Sequence, residues 1–358
     1  MEKKFTFIDL FSGIGGFRIA MEKHGGECVF SSDNDAQCQK VYMENFGEAP
    51  FGDIRKIQAS SIPDFDILAA GFPCQPFSYS GKLKGFDDEI SGTLFFDIYR
   101  ILKEKKPKMF LLENVKGLKS HEQGKTLELI IKSLKSIGYT LYWEIINSYD
   151  FSLPQDRPRW FCVGFNDQVK FEFPKGSPKK TILRDILETE NSNPKLKLTK
   201  FEIDRINFHF KKCPINSIKQ IRVQHDNSSY KSNTKKGKYG VFSYLKPDKT
   251  LRFHIGDFAK TQIQEAYYCH PDSFTPAIIV ARAPKIWNPP RQLSVEECKK
   301  LQGFPDWFKF SVLDSTAKKQ LGNAVSINVV DPIVGKMIEF YKKNTKKKIK
   351  SLVITKTN

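Results

Sequence analysis

Residues 5–17 read FTFIDLFSGIGGF. The apolar run over 5–11 predicts a strand, 12–16 a tight turn, and 17–24 a helix. Gly13, Gly15 and Gly16 allow the backbone to reverse sharply and to approach a ligand closely. A second strand is predicted over 28–33, and it ends on Asp33, twenty residues beyond Gly13. A carboxylate there can accept both ribose hydroxyl hydrogens of an adenosine. The spacing is not G-x-G-x-x-G, so on these residues alone a tight turn with a capping acid is the better account.

Outward from this unit the alternation continues. Helices are predicted over 35–45, 94–104 and 126–136, and doubly buried strands over 66–72 and 108–115. Residues 139–147 and 159–165 are rich in aromatic and β-branched side chains and read as strands. The fold class is therefore α/β, a mixed, mostly parallel sheet with helices on both faces. The character changes near Phe173. Segments such as KGSPKK, NSNPKLKLTK and DNSSYKSNTKKGKYG are Lys-dense, turn-rich and weakly periodic. They predict a smaller, loop-rich, partly β domain over 174–287. Residues 1–173 and 288–345 then form the two parts of the larger domain. Ser294, with Glu297 three residues on, marks a helix start by a capping box. Residues 325–341 read as an amphipathic helix, and 346–358 as a frayed basic tail.

Bulk properties narrow the possibilities. The 358 residues carry a formal net charge of +18, and 13% are aromatic. A core is easily filled, and wholesale disorder is excluded. The excess of Lys and Arg fits a polyanionic partner, although Lys favoured by an AT-rich genome would do the same. The seven Cys include no C-x-x-C pair, which argues against a disulfide framework or zinc site and fits reduced thiols in a cytoplasm. The N-terminus does not read as a signal peptide, and no window approaches a membrane span.

Three further motifs carry chemistry. Gly71-Phe-Pro-Cys-Gln-Pro-Phe-Ser78 follows a buried strand, at the end where α/β enzymes place their reactions. Pro73 and Pro76 stiffen the chain around Cys74 and Gln75. A buried Cys is usually an inert small hydrophobe. Cys74, however, stands in a turn, and the Gly-rich segment after it has the composition of a lid. Glu113-Asn114-Val115 closes the strand over 108–115, where an acid is costly unless it has a partner or a task. A cap for the next helix is the alternative. Gln155-Asp-Arg-Pro-Arg159 precedes the strand over 159–165. In extended chain Arg157 and Arg159 point the same way, and a surface charge pair is the alternative.

Taken together and in order, these blocks resemble the bacterial C5-cytosine DNA methyltransferases of restriction-modification type. The blocks are DLFSGIGGF, Asp33, Gly52-Asp53-Ile54, GFPCQPFS, GTLFFDI at 92–98, ENV, QDRPR, RQLSVEECKKLQGFP at 291–305 and GNAVSINVV at 322–330. The resemblance covers roughly residues 5–165 and 291–335. It implies a Rossmann-like S-adenosylmethionine-dependent domain, and a target recognition domain over 174–287. It implies Cys74 as nucleophile on C6 of a flipped-out cytosine and Glu113 as the acid near N3. Arg157 and Arg159 would hold the base and the active-site carboxylate. Phe11, Gly13, Ile14, Gly15, Gly16, Asp33, Asn34, Asp53, Ile54, Pro73, Leu94, Asn323 and Val325 would surround the cofactor, which leaves as S-adenosylhomocysteine. Asp53 would take the adenine amino group and Asp33 the ribose. Gln75, Ser78, Ser80, Asn114 and Gln155 would meet the substrate. Double-stranded DNA is the expected partner, with a cognate restriction endonuclease acting separately or an orphan role. The expectation is a monomer in the bacterial cytoplasm, associated with the nucleoid through DNA, with no metal.

Two departures stand out. Asn34 occupies a place where the family often has an adenine-stacking aromatic. Ser91 stands where some relatives have an Arg. The rivals are an RNA (tRNA) cytosine-5 methyltransferase of the same family and a catalytically inactive DNA-binding relative. The first typically has Thr at the place of Ser78 and a Cys-Phe-Thr tripeptide, both lacking here. The second would have lost Cys74 or Glu113, and both are present.

Overall fold

A computed structural model describes residues 5–73, 94–189, 193–225, 240–256, 263–279 and 284–354. Cys74, Gln75, Ser78 and Ser80 lie outside the described residues.

The first half of the chain folds as its periodicity dictates. Strands β1 (Phe5–Leu10), β2 (Gly26–Ser32), β3 (Ile67–Gly71) and β4 (Met109–Val115) alternate with helices α1 (Gly16–Lys23), α2 (Ala36–Phe46) and α3 (Leu94–Lys105). Helix α4 (Lys125–Ser136) leads to β5 (Thr140–Asn147). The short β6 (Gln155–Asp156) and β7 (Pro158–Phe165) follow. The main sheet runs in the order β2-β1-β3-β4-β7-β5. Pairs β1–β2, β1–β3 and β3–β4 are parallel, whereas β7 is antiparallel to both β4 and β5. Side chains alternate across this sheet. Phe5, Phe7, Ile67, Ala69, Met109 and Leu111 pack towards α1 and the C-terminal helix. Ile8, Leu10, Leu68, Ala70, Phe110 and Leu112 pack towards α3 and α4. Both faces are covered, which is why the central strands read as unbroken apolar runs.

After Phe173 the structure differs from expectation in one respect. The region holds a 13-residue helix, α5 (Lys200–Lys212), beside an antiparallel sheet of β8 (Val223–His225), β9 (Gly240–Leu245), β10 (Leu251–Gly256) and β11 (Ile263–Tyr268). A small core of Leu198, Ile206, Val241, Leu245, Leu251, Phe253 and Tyr268 joins helix to sheet. Helix α6 (Val295–Gln302) begins at the expected capping box of Ser294 and Glu297. Helices α7 (Asp314–Asn323) and α8 (Ile327–Ile354) complete the chain. Helix α8 runs on through residues expected to fray, so the tail boundary at 346 is not a helix end.

A third cluster explains how distant blocks meet. Ile14 of the glycine turn and Val41 of α2 pack with Leu293, Cys298, Leu301, Phe304, Leu321 and Ile327 from the C-terminal block. Gly16 makes the closest approach: a Cβ there would stand 2.8 Å from Val325 Cγ2.

Candidate active site

A cavity of about 700 Å3 opens at the carboxyl ends of β1 to β4. The chain leaves β1 for β2 on one side and later crosses to β3 on the other. The cavity thus sits at the switch point of the sheet, where ligands of open α/β folds bind. The turn after β1 shapes its floor. Phe11 and Gly13 hold φ of 54° and 53°. For phenylalanine this left-handed conformation costs on the order of 1 kcal/mol, a strain typical of ligand-binding turns.

Of the thirteen expected cofactor residues, twelve line the cavity: Phe11, Gly13, Ile14, Gly16, Asp33, Asn34, Asp53, Ile54, Pro73, Leu94, Asn323 and Val325. Gly15 does not. It faces α2 with φ 84°, and a Cβ there would strike the Phe46 ring at 2.3 Å. Asp33 Oδ2 accepts from the Gly13 N–H at 2.7 Å, and Oδ1 from the Asp35 N–H at 2.8 Å. Burial pushes this carboxyl above its ordinary value, opposed by those two N–H groups. Asp53 is gripped by the Arg55 guanidinium, at 2.9 Å from Nε to Oδ1, which holds it below the usual carboxylate range.

Glu113, Asn114, Arg157 and Arg159 line the same cavity. Glu113 is 8% exposed, and its Oε1 lies 3.2 Å from Arg159 Nε. Burial raises the Glu113 carboxyl above its ordinary value, and the charges of Arg159 and Arg157 pull against that. The opposition leaves a buried acid able to hold a proton and to part with it.

The two arginines differ in their partners. Arg159 faces Glu113. Arg157 is 2% exposed and donates to three carbonyls, those of Ile278, Gly322 and Ala324, each at 2.9 Å. Burial, with Arg159 nearby, pushes its guanidinium down to about 9. Arg157 thus fastens the wall that carries Asn323. Asn114 donates from Nδ2 to the Phe72 carbonyl at 2.9 Å, tying β4 to the turn that leads to Cys74. Gln155 departs from expectation. It is fully buried and does not line the cavity. Its Nε2 donates to the Leu301 carbonyl, and its Oε1 accepts from the Ile278 N–H, both at 2.8 Å. Both ends of the amide are engaged inside the protein.

The sequence reading missed several lining residues, among them Ser12, Ser32, Cys38 and Gln320. Their adjacency to the quoted blocks was the available signal. The Ser12 and Ser32 hydroxyls, Arg157 Nε and both polar atoms of Gln320 are buried without a hydrogen-bond partner. Orphaned polar atoms of this kind, gathered around one cavity, fit a polar ligand such as a nucleoside with an amino-acid tail. Cys38 does not read as a nucleophile, since burial and the charges of Asp33 and Asp35 push its thiol up to about 12. Among the described residues no group of three or more His, Cys, Asp or Glu could hold a metal ion. No helix among them is long and apolar enough to cross a membrane.

Comparison with known proteins agrees with this geometry. The family model described as C-5 cytosine-specific DNA methylase matches residues 5–339. The chain is 41% identical over 345 residues to type II methyltransferase M.DsaV of Dactylococcopsis salina, covering 95% of this chain and 88% of the relative. It is 40% identical to M.HaeII of Haemophilus aegyptius, with 96% of each chain covered. It is 36% identical to M.HhaI of Haemophilus parahaemolyticus, covering 93% and 95%. Among solved structures, the S. pombe Dnmt2 methyltransferase superposes with a TM-score of 0.66 at 18% identity, covering 95% of this chain and all of that one. That likeness speaks for the fold alone.

Proposed function

Since this chain belongs to the C-5 cytosine-specific DNA methylase family, and is thus a DNA (cytosine-5-)-methyltransferase, we propose that Cys74 is its nucleophile and Glu113 its acid. The observation that carries this reading is the buried Glu113–Arg159 pair in the cavity that Pro73, the residue bonded to Cys74, also lines. The thiols at Cys28, Cys38 and Cys298 are each pushed up to about 12 by burial, and those at Cys162 and Cys269 are raised further. This supports a nucleophile elsewhere.

Bound S-adenosylmethionine supplies an electrophilic methyl group for C5. The protein's task is to make C5 a nucleophile. The Cys74 thiolate adds to C6 of a flipped-out cytosine, and the electron pair displaced from the ring collects at N3. Glu113 delivers its proton to N3 and neutralises that charge. Arg159 holds the Glu113 carboxylate that remains. Once C5 carries the methyl group, its proton leaves to water and the S–C6 bond breaks. The thiolate is regenerated, and N3 returns its proton to Glu113. Asp33, Asp53 and the glycine turn hold the cofactor. Arg157 acts through the Asn323 wall.

The substrate is duplex DNA, read by the basic segment 174–287. In support, Lys211, Lys212, Lys219 and Arg222 are exposed on or just after α5. The names of the relatives support a type II modification role; with it we propose a monomer on the bacterial nucleoid, paired with a restriction endonuclease or acting as an orphan. The test is a duplex bearing 5-fluorocytosine at the methylated position. With S-adenosylmethionine it should trap the wild-type protein covalently and leave Cys74→Ser free. The Ser variant should bind S-adenosylhomocysteine as the wild type does. A Ser variant that methylates at near wild-type rate refutes the mechanism.

A further inference from the structure

Three glutamines are buried around the wall that α6 and α7 build against the cavity: Gln155, Gln302 and Gln320. Two are fully engaged. The Gln155 amide holds Leu301 and Ile278. Gln302 donates to the Leu321 carbonyl at 2.6 Å and accepts from the Ser326 hydroxyl at 2.7 Å. The third, Gln320, is 4% exposed, and neither its Nε2 nor its Oε1 has a partner in good hydrogen-bonding geometry; its one polar contact is the weak Cys38 thiol. It is also the one of the three that lines the cavity. Buried amides are seldom left with both ends unpaired, and one that is marks a place where something else binds.

The position of Gln320 narrows what that something is. Its polar neighbour is the weakly hydrogen-bonding Cys38 thiol, which in turn feels the charges of Asp33 and Asp35. Gln320 therefore stands at the Asp33 end of the cavity. A carboxylate can only accept. A primary amide offers donor and acceptor side by side, as a vicinal diol does. We propose that Gln320 is a cofactor-holding residue that grips the ribose diol of S-adenosylmethionine opposite Asp33, so that its unpaired amide is satisfied only when the cofactor is bound. This rests on the cofactor reading of the cavity and adds a residue to it.

Gln320→Leu tests it, because the two roles of a buried glutamine predict opposite signs. A structural glutamine that loses its amide lowers stability. An orphaned one that becomes apolar leaves the cofactor-free protein as stable or more so. Calorimetric titration with S-adenosylhomocysteine should show binding weakened about tenfold in the Leu variant, the loss of one to two hydrogen bonds. The thermal midpoint without ligand should be unchanged or raised. Against the 2′-deoxy or the 3′-deoxy form of S-adenosylhomocysteine, whichever lacks the partner hydroxyl, the penalty of the Leu variant should vanish. Equal affinity of wild type and variant for S-adenosylhomocysteine overturns the proposal, as does a full penalty with both deoxy ligands. A wild-type protein that does not bind S-adenosylhomocysteine overturns the cofactor reading itself.

Discussion

Arg157→Lys should cost this protein both stability and cofactor affinity, although it conserves charge. The guanidinium donates to three carbonyls of two separate segments, to Ile278 in one and to Gly322 and Ala324 in the other, and is 2% exposed. A lysine ammonium is a point donor without the fork and can serve one of the three. Hydrogen bonds to charged groups contribute about 1.5–3 kcal/mol each, so two lost bonds give a destabilisation of about 3 kcal/mol or more. Burial, which already pushes the guanidinium down, disfavours an ammonium as well and adds to the cost. With an unfolding entropy of about 2.1 cal/mol/K per residue over 358 residues, the midpoint should fall by about 4 °C or more. Gly322 and Ala324 flank Asn323 in the cavity wall, so S-adenosylhomocysteine should bind roughly tenfold more weakly, from the loss of order in that wall. Affinity for DNA, measured at a temperature where both proteins are folded, should hold. Differential scanning calorimetry and isothermal titration read the two effects. A Lys variant that melts within about 1 °C of wild type and keeps its cofactor affinity refutes the fastening role.

Arg159→Lys is the counterpart. It keeps a charge near Glu113 and engages no distant carbonyl, so the midpoint should barely move while the single-turnover methylation rate falls. Glu113→Gln should slow methylation strongly and yet raise stability at neutral pH. The folded carboxyl is raised above its ordinary value, so its contribution to stability is full below the unfolded pKa and is lost as pH rises through the folded one. The gain in midpoint of the Gln variant should therefore grow as pH climbs above about 4.5. A difference that is flat with pH, or of the opposite sign, rules this out. Exchanging 174–287 for the matching segment of a relative should move the methylated sequence and leave the chemistry in place. A folded, active chimera that keeps the original target would place recognition elsewhere.

Where the sequence was legible, the deciding forces were local. The run over 5–17 specifies strand, turn and helix within a dozen residues, and the parity of β1, β3 and β4 follows from both faces being covered. Helix α5 was missed because its buried positions are few, Ile206 and His209, among charged residues, although the box of Thr199 and Glu202 was there to be read. Helix α7 is similar: Leu321 matters only because Ile14 and Leu301 cluster with it from elsewhere in the chain. The site residues divide along the same line. Glu113 could be named because an acid ending an apolar strand is conspicuous in one dimension. The partners of Arg157 could not, since the carbonyls it holds lie more than 100 residues along the chain and carry no side-chain signature. Gln155 was assigned to substrate for the same reason, because its true partners are the backbone of Ile278 and Leu301. Gln320 is the converse. It stands two residues before the GNAVSINVV block, but only the packing around it, which engages Gln155 and Gln302 and leaves it no more than the Cys38 thiol, turns an ordinary helix residue into a candidate contact. Residue type can announce which chemistry a position could perform. Whether the position is already engaged is a property of the folded chain, and that distinguishes a fastening from a site.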